Sequence, residues 1–521
     1  MNSIPKNGRV GVLGAGVSGL SYAFFLSKLR PDVRITLYER SFQAGGYINT
    51  AVESANGDKV TVEKGPRTLR GISEGSLMIV DMLRLMGKED IIEVMQLSSP
   101  ANRKFLLGRN GQLLATPSGF NIETLKFILG DLGEGLLKGI LGEPFRRKQQ
   151  IPMDESVEDF VKRRFGSNKI SENMLSGVFR GIYAGDVGKL SVNLVAPALK
   201  FTEQIHGLLV RSMGKNLLKT LAGRKLPLPP ASKAYTAYET LINPEANFTE
   251  LGLYLRKFPM YRLRGGLQQF PLLLAEHLEN NVPNVEIKYN TEVKEVDVSQ
   301  LLIDGVKYDH IRSTLPVHLL EKLLVNDTNF TNLRELLQQL HYVSITLVNV
   351  YSKKTKLTPE AGFGFLVPKA VNTESSYNLL GVIYDSDIEK HVIPFVENGT
   401  KQPQDKEEYS KVTMMFGGYL YDLVGGPPNQ RALQKVIKDV LNNKLNVDMQ
   451  KHKLTGPEGN GDIIYTSAYN DKCIPQFNVG YEELKRKVLT SLPDNLTLGG
   501  MAFGRGIGVP DCVRPALESV V

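Results

Sequence analysis

Residues 9–39 read RVGVLGAGVSGLSYAFFLSKLRPDVRITLYE. Arg9–Leu13 is a short apolar run of strand type, Leu20–Leu29 predicts a helix, and Arg34–Tyr38 predicts a second strand ending at an acid, Glu39. Between the first strand and the helix stand Gly14, Ala15, Gly16, Val17, Ser18 and Gly19, a G-x-G-x-x-G turn. In that setting the first glycine permits a tight turn, the second lets backbone approach a diphosphate, and the third lets helix and strand pack closely. The helix N-terminus offers unpaired N–H groups to phosphate oxygens. Glu39, 20 residues beyond Gly19, falls where an acid accepts hydrogen bonds from ribose hydroxyls. This βαβ unit predicts dinucleotide binding.

Further glycines select among dinucleotides. Gly45-Gly46 follows Glu39 by six residues, then come Glu63-Lys64-Gly65-Pro66-Arg67, Gly265-Gly266 and Gly499-Gly500. Nicotinamide domains do not usually carry these, and the Gly-Gly after the acidic strand end resembles the extended motif of the FAD-dependent amine oxidase and protoporphyrinogen oxidase superfamily. The chain has no second G-x-G-x-x-G, so a direct oxidase, or a donor to a quinone or carrier, is favoured over an NAD(P)-linked reductase.

At 521 residues, with 42% apolar, 23% charged and 8% aromatic residues, the chain can bury a large core, and this balance excludes disorder, collagen and a disulfide scaffold. Cys473 and Cys512 cannot form a disulfide framework. The seven histidines never fall at helical i, i+3 or i, i+4 spacing, so no metal is expected. No apolar stretch approaches the ~18 residues of a spanning helix, and the first eight residues do not read as a signal peptide. Any membrane contact is expected to be peripheral.

The net charge of +8 is concentrated. Between 200 and 235 the cations Lys200, Arg211, Lys215, Lys219, Arg224, Lys225 and Lys233 face Glu203 alone. Leu208, Leu209, Leu217, Leu218 and Leu221 lie among them, and Leu125, Ile128, Leu129, Leu132, Leu136, Ile140 and Leu141 repeat near helical period upstream. Basic, leucine-rich amphipathic segments suit an anionic membrane surface, although such leucines also serve as ordinary core. No stacking aromatics accompany the cations, so nucleic acid is not expected.

Strand-like runs at Val343–Tyr351, Phe363–Val367, Leu379–Tyr384 and Val412–Phe416 suggest a separate antiparallel sheet, and Val285–Tyr289 with Thr291–Val298 a hairpin or sheet edge. The expected fold combines α/β and α+β parts. A discontinuous Rossmann-like FAD-binding domain (1–95, 236–300, 465–521) accompanies an antiparallel-sheet substrate domain (96–117, 301–464) and a helical membrane-binding insertion (118–235).

GPRTLR at 65–70, RGIYAGD at 180–186, LRGGLQQFP at 263–271, GFGFLVP at 362–368, LGVIYDS at 380–386, CIPQF at 473–477 and GVPD at 508–511, with GAGVSGL at 14–20, resemble the protoporphyrinogen oxidase family across nearly the whole chain, in wording closest to fungal mitochondrial members. The resemblance implies non-covalent FAD held by Gly14–Gly19, Glu39, Arg40, Gly46, Tyr47, Gly65, Pro66, Arg67, Thr68, Val293, Ile507, Gly508 and Val509. It implies a macrocycle between Phe363, Leu366 and Met415, touched by backbone at Ala184 and Gly185, with a propionate on Lys104 or the adjacent Arg103. The family's usual arginine at that site is Lys104 here, and its arginine before the first Gly-Gly is Gln43. Lysine neutralises a carboxylate without the bidentate fork. Arg67 is the expected electrostatic catalytic residue. The implied reaction is oxidation of protoporphyrinogen IX by O₂ with release of H₂O₂. The implied setting is peripheral attachment to the mitochondrial inner membrane, on the intermembrane-space side, as a homodimer with ferrochelatase as a candidate partner. The absence of tryptophan argues against an amine oxidase's aromatic cage.

Overall fold

A computed structural model describes residues 4–55, 57–70, 73–116, 122–146, 152–210, 212, 231–325, 331–371, 378–396 and 409–521. The opening segment forms a strand Arg9–Leu13, a helix Val17–Leu29 and a strand Arg34–Tyr38. The helix begins three residues before its expected start, because Val17, Ser18 and Gly19 already form its first turn behind the N-cap Gly16. These strands lie in a five-stranded parallel sheet, ordered Val285–Lys288, Arg34–Tyr38, Arg9–Leu13, His310–Ser313, Leu496–Leu498. Val285–Lys288 is therefore a parallel edge strand and not half of a hairpin. The next paired residues, Val296–Asp297, belong to a small antiparallel sheet. Helices Val17–Leu29, Glu74–Leu85, Gln269–Asn281 and Pro510–Glu518 share one apolar core with this parallel sheet.

The second large unit is an eight-stranded sheet, ordered Leu454–Thr455, Ile463–Pro475, Tyr342–Ser352, Ser410–Gly417, Leu379–Ile383, Gly364–Leu366, Lys104–Leu107, Leu113–Ala115. It is mixed rather than antiparallel: Lys104–Leu107 runs parallel to Gly364–Leu366, and Leu454–Thr455 parallel to Ile463–Pro475. Two strands also cross the expected domain limits, since His310–Ser313 lies in the parallel sheet and Ile463–Pro475 in the mixed one. A four-stranded sheet (Val392–Pro394, Ile92–Met95, Met260–Leu263, Leu69–Arg70) joins the two units.

His310 gives the parallel sheet a pH signature. Burial, with the Arg312 charge adding to it, pushes its imidazole from 6.5 down to about 4. The unfolded chain binds a proton there below pH ~6.5 that the folded chain refuses, so this stability is intact above 6.5 and lost as pH falls toward 4, by roughly 3 kcal/mol. His310→Gln is expected to flatten the acid limb of the urea midpoint relative to the parent chain; an unchanged limb refutes the assignment.

Segment 122–206 is mainly helical in its described parts, with irregular backbone at 152–156 and 184–191, and divides its residues sharply. Phe127 and Leu132 are buried, whereas Leu125, Leu129, Leu141, Phe145, Phe201 and Ile205 are each more than half exposed. Lys200, counted above in the basic surface, is interior. It bonds Glu155 Oε1 at 2.7 Å within a network that also holds Arg163, Arg164, Glu203 and Glu143. Three cations meet three acids there, so the buried charge closes on itself. Arg211, Lys215, Lys219, Arg224 and Lys225, with Arg147 and Lys148, lie outside the described residues.

Candidate active site

The glycine turn is built for a diphosphate. Gly14 adopts φ +94°, and a Cβ on Gly19 would stand 2.0 Å from the Gly14 carbonyl oxygen, so helix and turn meet at a distance only glycine allows. The helix N-cap, Gly16, supplies no side-chain cap, which leaves its first N–H groups to an anion. Glu39 is buried, its carboxylate accepting from Ala15 N at 3.0 Å and Ser41 N at 2.9 Å, and this fixes it at the end of the second strand. Gly45 N donates to Ala15 O at 3.1 Å, and Gly500 N donates to Ser18 Oγ at 3.0 Å, closing two sides of the turn. Gly46 and Arg40 are exposed beside it, and Val293 is buried against Leu13 and Tyr38. Ile507, Gly508 and Val509 lead into helix Pro510–Glu518, where Gly508 N donates to Asp511 Oδ2 at 3.1 Å. Gly65 backs onto Tyr47, since a Cβ there would meet the Tyr47 carbonyl oxygen. Open helix terminus, the acid closing the second strand and the close glycine contacts together fit a dinucleotide.

The mixed sheet presents two faces of opposite character. Phe105, Phe365, Val382, Met414 and Val348 pack onto helix Gln430–Asn443. On the other face, register places Leu106, Leu366, Gly381, Met415 and Leu347 in one row, and Lys104, Gly364, Ile383, Thr413 and Asn349 in the next. Leu366 and Met415 thus flank a glycine, roughly 10 Å apart across two strand spacings. Leu366 leans on Gly181 of helix Ser176–Tyr183, and Met415 packs with Ala184, Leu380 and Tyr419. Ala184 has φ +50° and its carbonyl accepts from Tyr419 N at 2.9 Å; Gly185 sits against Gln476. Phe363 does not join this row. Three residues from Leu366, it would share the Phe365 face in a regular strand, and past the irregular backbone at Gly364 (φ +131°) it packs instead with Met95, Ala101, Met260 and Ile388.

The two cations expected at a propionate separate. Lys104 shares the face of Leu366 and Met415, with Nζ 3.2 Å from Asn102 Oδ1. Arg103 stacks over Phe105, which belongs to the opposite face, and pairs with Glu360 at 3.2 Å. Arg180, in a motif quoted above but given no role, is buried, donating to Tyr419 Oη at 3.1 Å and Val367 O at 3.4 Å.

Arg67 is not a free cation. Its Nη1 lies 2.7 Å from Asp385 Oδ1, both side chains being under a tenth exposed. Asp385 Oδ2 is 2.6 Å from Thr413 Oγ1, which is 2.7 Å from Asn349 Oδ1. Asn349 Nδ2 in turn donates to Glu63 O at 3.1 Å, so the sheet holds the loop that carries Gly65, Pro66, Arg67 and Thr68. A cavity of about 30 Å³ adjoins, lined by charges that include Glu63, Arg67, Arg262, Asp385, Glu389 and Lys411. Burial raises the Glu63 carboxyl. Burial would raise Glu389 too, but Lys411 and Arg262 outweigh it and hold that carboxyl low. Sequence reading missed Asp385, although its motif was in view, because nothing local links it to Arg67.

Residues 17–442 match the family model described as flavin containing amine oxidoreductase. The chain belongs to that family. Within it the chain is 36% identical over 539 residues to protoporphyrinogen oxidase of Saccharomyces cerevisiae, covering 98% of this chain and 97% of that one. It is 27% identical to the enzyme of the same name from Schizosaccharomyces pombe, covering 97% and 96%. Among solved structures it resembles an Exiguobacterium protein provisionally described as a protoporphyrinogen oxidase (TM-score 0.69, 19% identity, 98% of each chain covered). The fold is likewise shared with a putrescine oxidase (TM-score 0.55, 14% identity, 98% of each). The chain is thus a flavin-dependent oxidase of the protoporphyrinogen oxidase family, and its flavin is FAD.

Proposed function

We propose that this chain oxidises protoporphyrinogen IX to protoporphyrin IX, the penultimate step of haem biosynthesis. The observation that carries the reading is its near-full-length similarity to the yeast oxidases. Bound FAD would supply the hydride-accepting chemistry for three two-electron rounds, with O₂ as the final acceptor and three H₂O₂ as product. The chain's own residues hold the reactants. Gly14–Gly19 and Glu39 bind the dinucleotide, with Arg40, Gly46, Tyr47, Gly65–Thr68, Val293 and Ile507–Val509 around it. Leu366 and Met415, with Phe363 near the Arg67 loop, offer an apolar bed for a flat macrocycle, closed by the Ala184-Gly185 backbone. Lys104, on that face, neutralises a propionate at the rim, and Arg67, fixed by Asp385, supplies positive potential beside the flavin. The proposed division has a flavin part that includes His310–Ser313, a substrate part that includes Ile463–Pro475, and the 118–235 insertion.

Lys104→Ala is expected to raise KM about tenfold with flavin content unchanged, since one charge-assisted contact is worth about 1.5 kcal/mol. Loss of flavin would instead place Lys104 at the cofactor.

We also read the 118–235 insertion as a peripheral membrane anchor. Its exposed Leu125, Leu129, Leu141 and Phe145 support this, and no helix among the described residues is long and apolar enough to span a bilayer. The mitochondrial inner membrane, from the intermembrane-space side, is the proposed site. A homodimer and ferrochelatase are the proposed partners. Changing Leu129, Leu141 and Phe145 together to serine should abolish co-sedimentation with cardiolipin-containing vesicles while leaving detergent-phase activity intact; unchanged sedimentation refutes the anchor.

A further inference from the structure

Arg312 lies inside the parallel sheet on strand His310–Ser313, paired in register with Val12 on one side and Thr497 on the other. Its side chain is 4% exposed, and Nε is buried with no hydrogen-bond partner. Its guanidinium lies over the Tyr22 ring, 5.0 Å from guanidinium carbon to ring centroid. Among the described residues no carboxylate forms an ion pair with it. A buried guanidinium without a counter-charge is strongly unfavourable, and the cost registers in its pKa, which burial lowers to about 10.

The head of this side chain reaches the cofactor end of the sheet. A Cβ on Gly499 would fall 2.6 Å from Arg312 Nη2, so glycine at 499 makes room for the guanidinium. The next residue, Gly500, donates to Ser18 Oγ at 3.0 Å, in the first turn of the uncapped helix Val17–Leu29. The guanidinium therefore lies against Gly499, one residue from the Gly500 N–H that reaches the first turn of that helix. A positive helix end and an unpaired cation sit together there, and a diphosphate is the anion such a turn receives.

We propose that Arg312 is the buried counter-charge to the diphosphate of the bound flavin dinucleotide, so that cofactor binding relieves a charge the empty fold carries at a cost. This rests on the flavin assignment and not on the identity of the substrate, and its readouts are independent of turnover. The alternative is a strut: an arginine kept for its packing on Tyr22.

The two roles predict opposite signs. The full chain would be stripped of flavin and its thermal midpoint followed against added FAD and against salt, for the parent, Arg312→Met and Arg312→Lys. With Arg312 as counter-charge, Arg312→Met raises the FAD Kd more than about threefold and weakens its salt dependence. Its midpoint without FAD equals or exceeds the parent's, because an unpaired charge has gone. Arg312→Lys keeps the charge and stays within about threefold of the parent Kd. A Kd for Arg312→Met within threefold of the parent, an unchanged salt dependence, or a lower midpoint without FAD would each overturn the proposal. Should Arg312→Met fail to fold, the strut is favoured and the counter-charge role is rejected.

Discussion

Gly19→Ala is expected to yield a chain that retains less than about a tenth of the parent's flavin, with activity reduced in proportion. The added Cβ would lie 2.0 Å from the Gly14 carbonyl oxygen and 3.1 Å from Thr314 Oγ1. Neither neighbour can yield cheaply. Gly14 is held by its own hydrogen bond to Tyr38 O at 2.9 Å, and Thr314 Oγ1 donates to Leu13 O at 2.8 Å. The helix must then withdraw from the turn by about an ångström, which carries its N–H groups away from the phosphates they serve. Flavin absorbance per mole of protein checks this; stoichiometric flavin in the variant would show that the turn tolerates the methyl and that the helix is not what grips the cofactor.

Asp385→Ala is expected to destabilise the folded chain by about 3–5 kcal/mol, because it leaves Arg67 as an unpaired charge in a site that admits little water. The milder Asp385→Asn keeps an acceptor for Arg67, turns an amide N–H to Thr413 Oγ1, which can accept it while donating to Asn349, and removes the negative charge. Arg67→Gln should lower kcat by roughly a hundredfold if its potential stabilises charge developing at the flavin. The double change Arg67→Met with Asp385→Leu should recover stability relative to Asp385→Ala and recover no activity. Thermal midpoints and kcat, measured on the same preparations, separate the two roles. A double variant as unstable as Asp385→Ala would mean that the pair is not the unit that matters.

The opening βαβ unit was legible because strand, turn, helix and acid all lie within 31 contiguous residues, where period and spacing carry the signal. The strands at Tyr342–Ser352, Leu379–Ile383 and Ser410–Gly417 were legible for the same reason. Long-range pairings were not. Nothing near Lys104 announces that its strand runs parallel to Gly364–Leu366, so the sheet was expected to be antiparallel. Arg67 and Asp385 stand 318 positions apart, and neither neighbourhood names the other. Charge counting failed at Lys200 because a count records sign and not partners. With Glu155 and Glu203 beside it, that lysine is a core residue. The leucine periodicity carries no sign of which residues face outward: Leu129 and Leu141 are exposed, whereas Leu132 and Leu209 are core.

The most direct test is anaerobic. The purified holoprotein, mixed with protoporphyrinogen IX without oxygen, should lose its oxidised-flavin absorbance within the time of one turnover. On admitting air it should release fluorescent protoporphyrin, with three H₂O₂ formed per porphyrin. Flavin that stays oxidised with protoporphyrinogen but bleaches with a polyamine or monoamine would contradict the account.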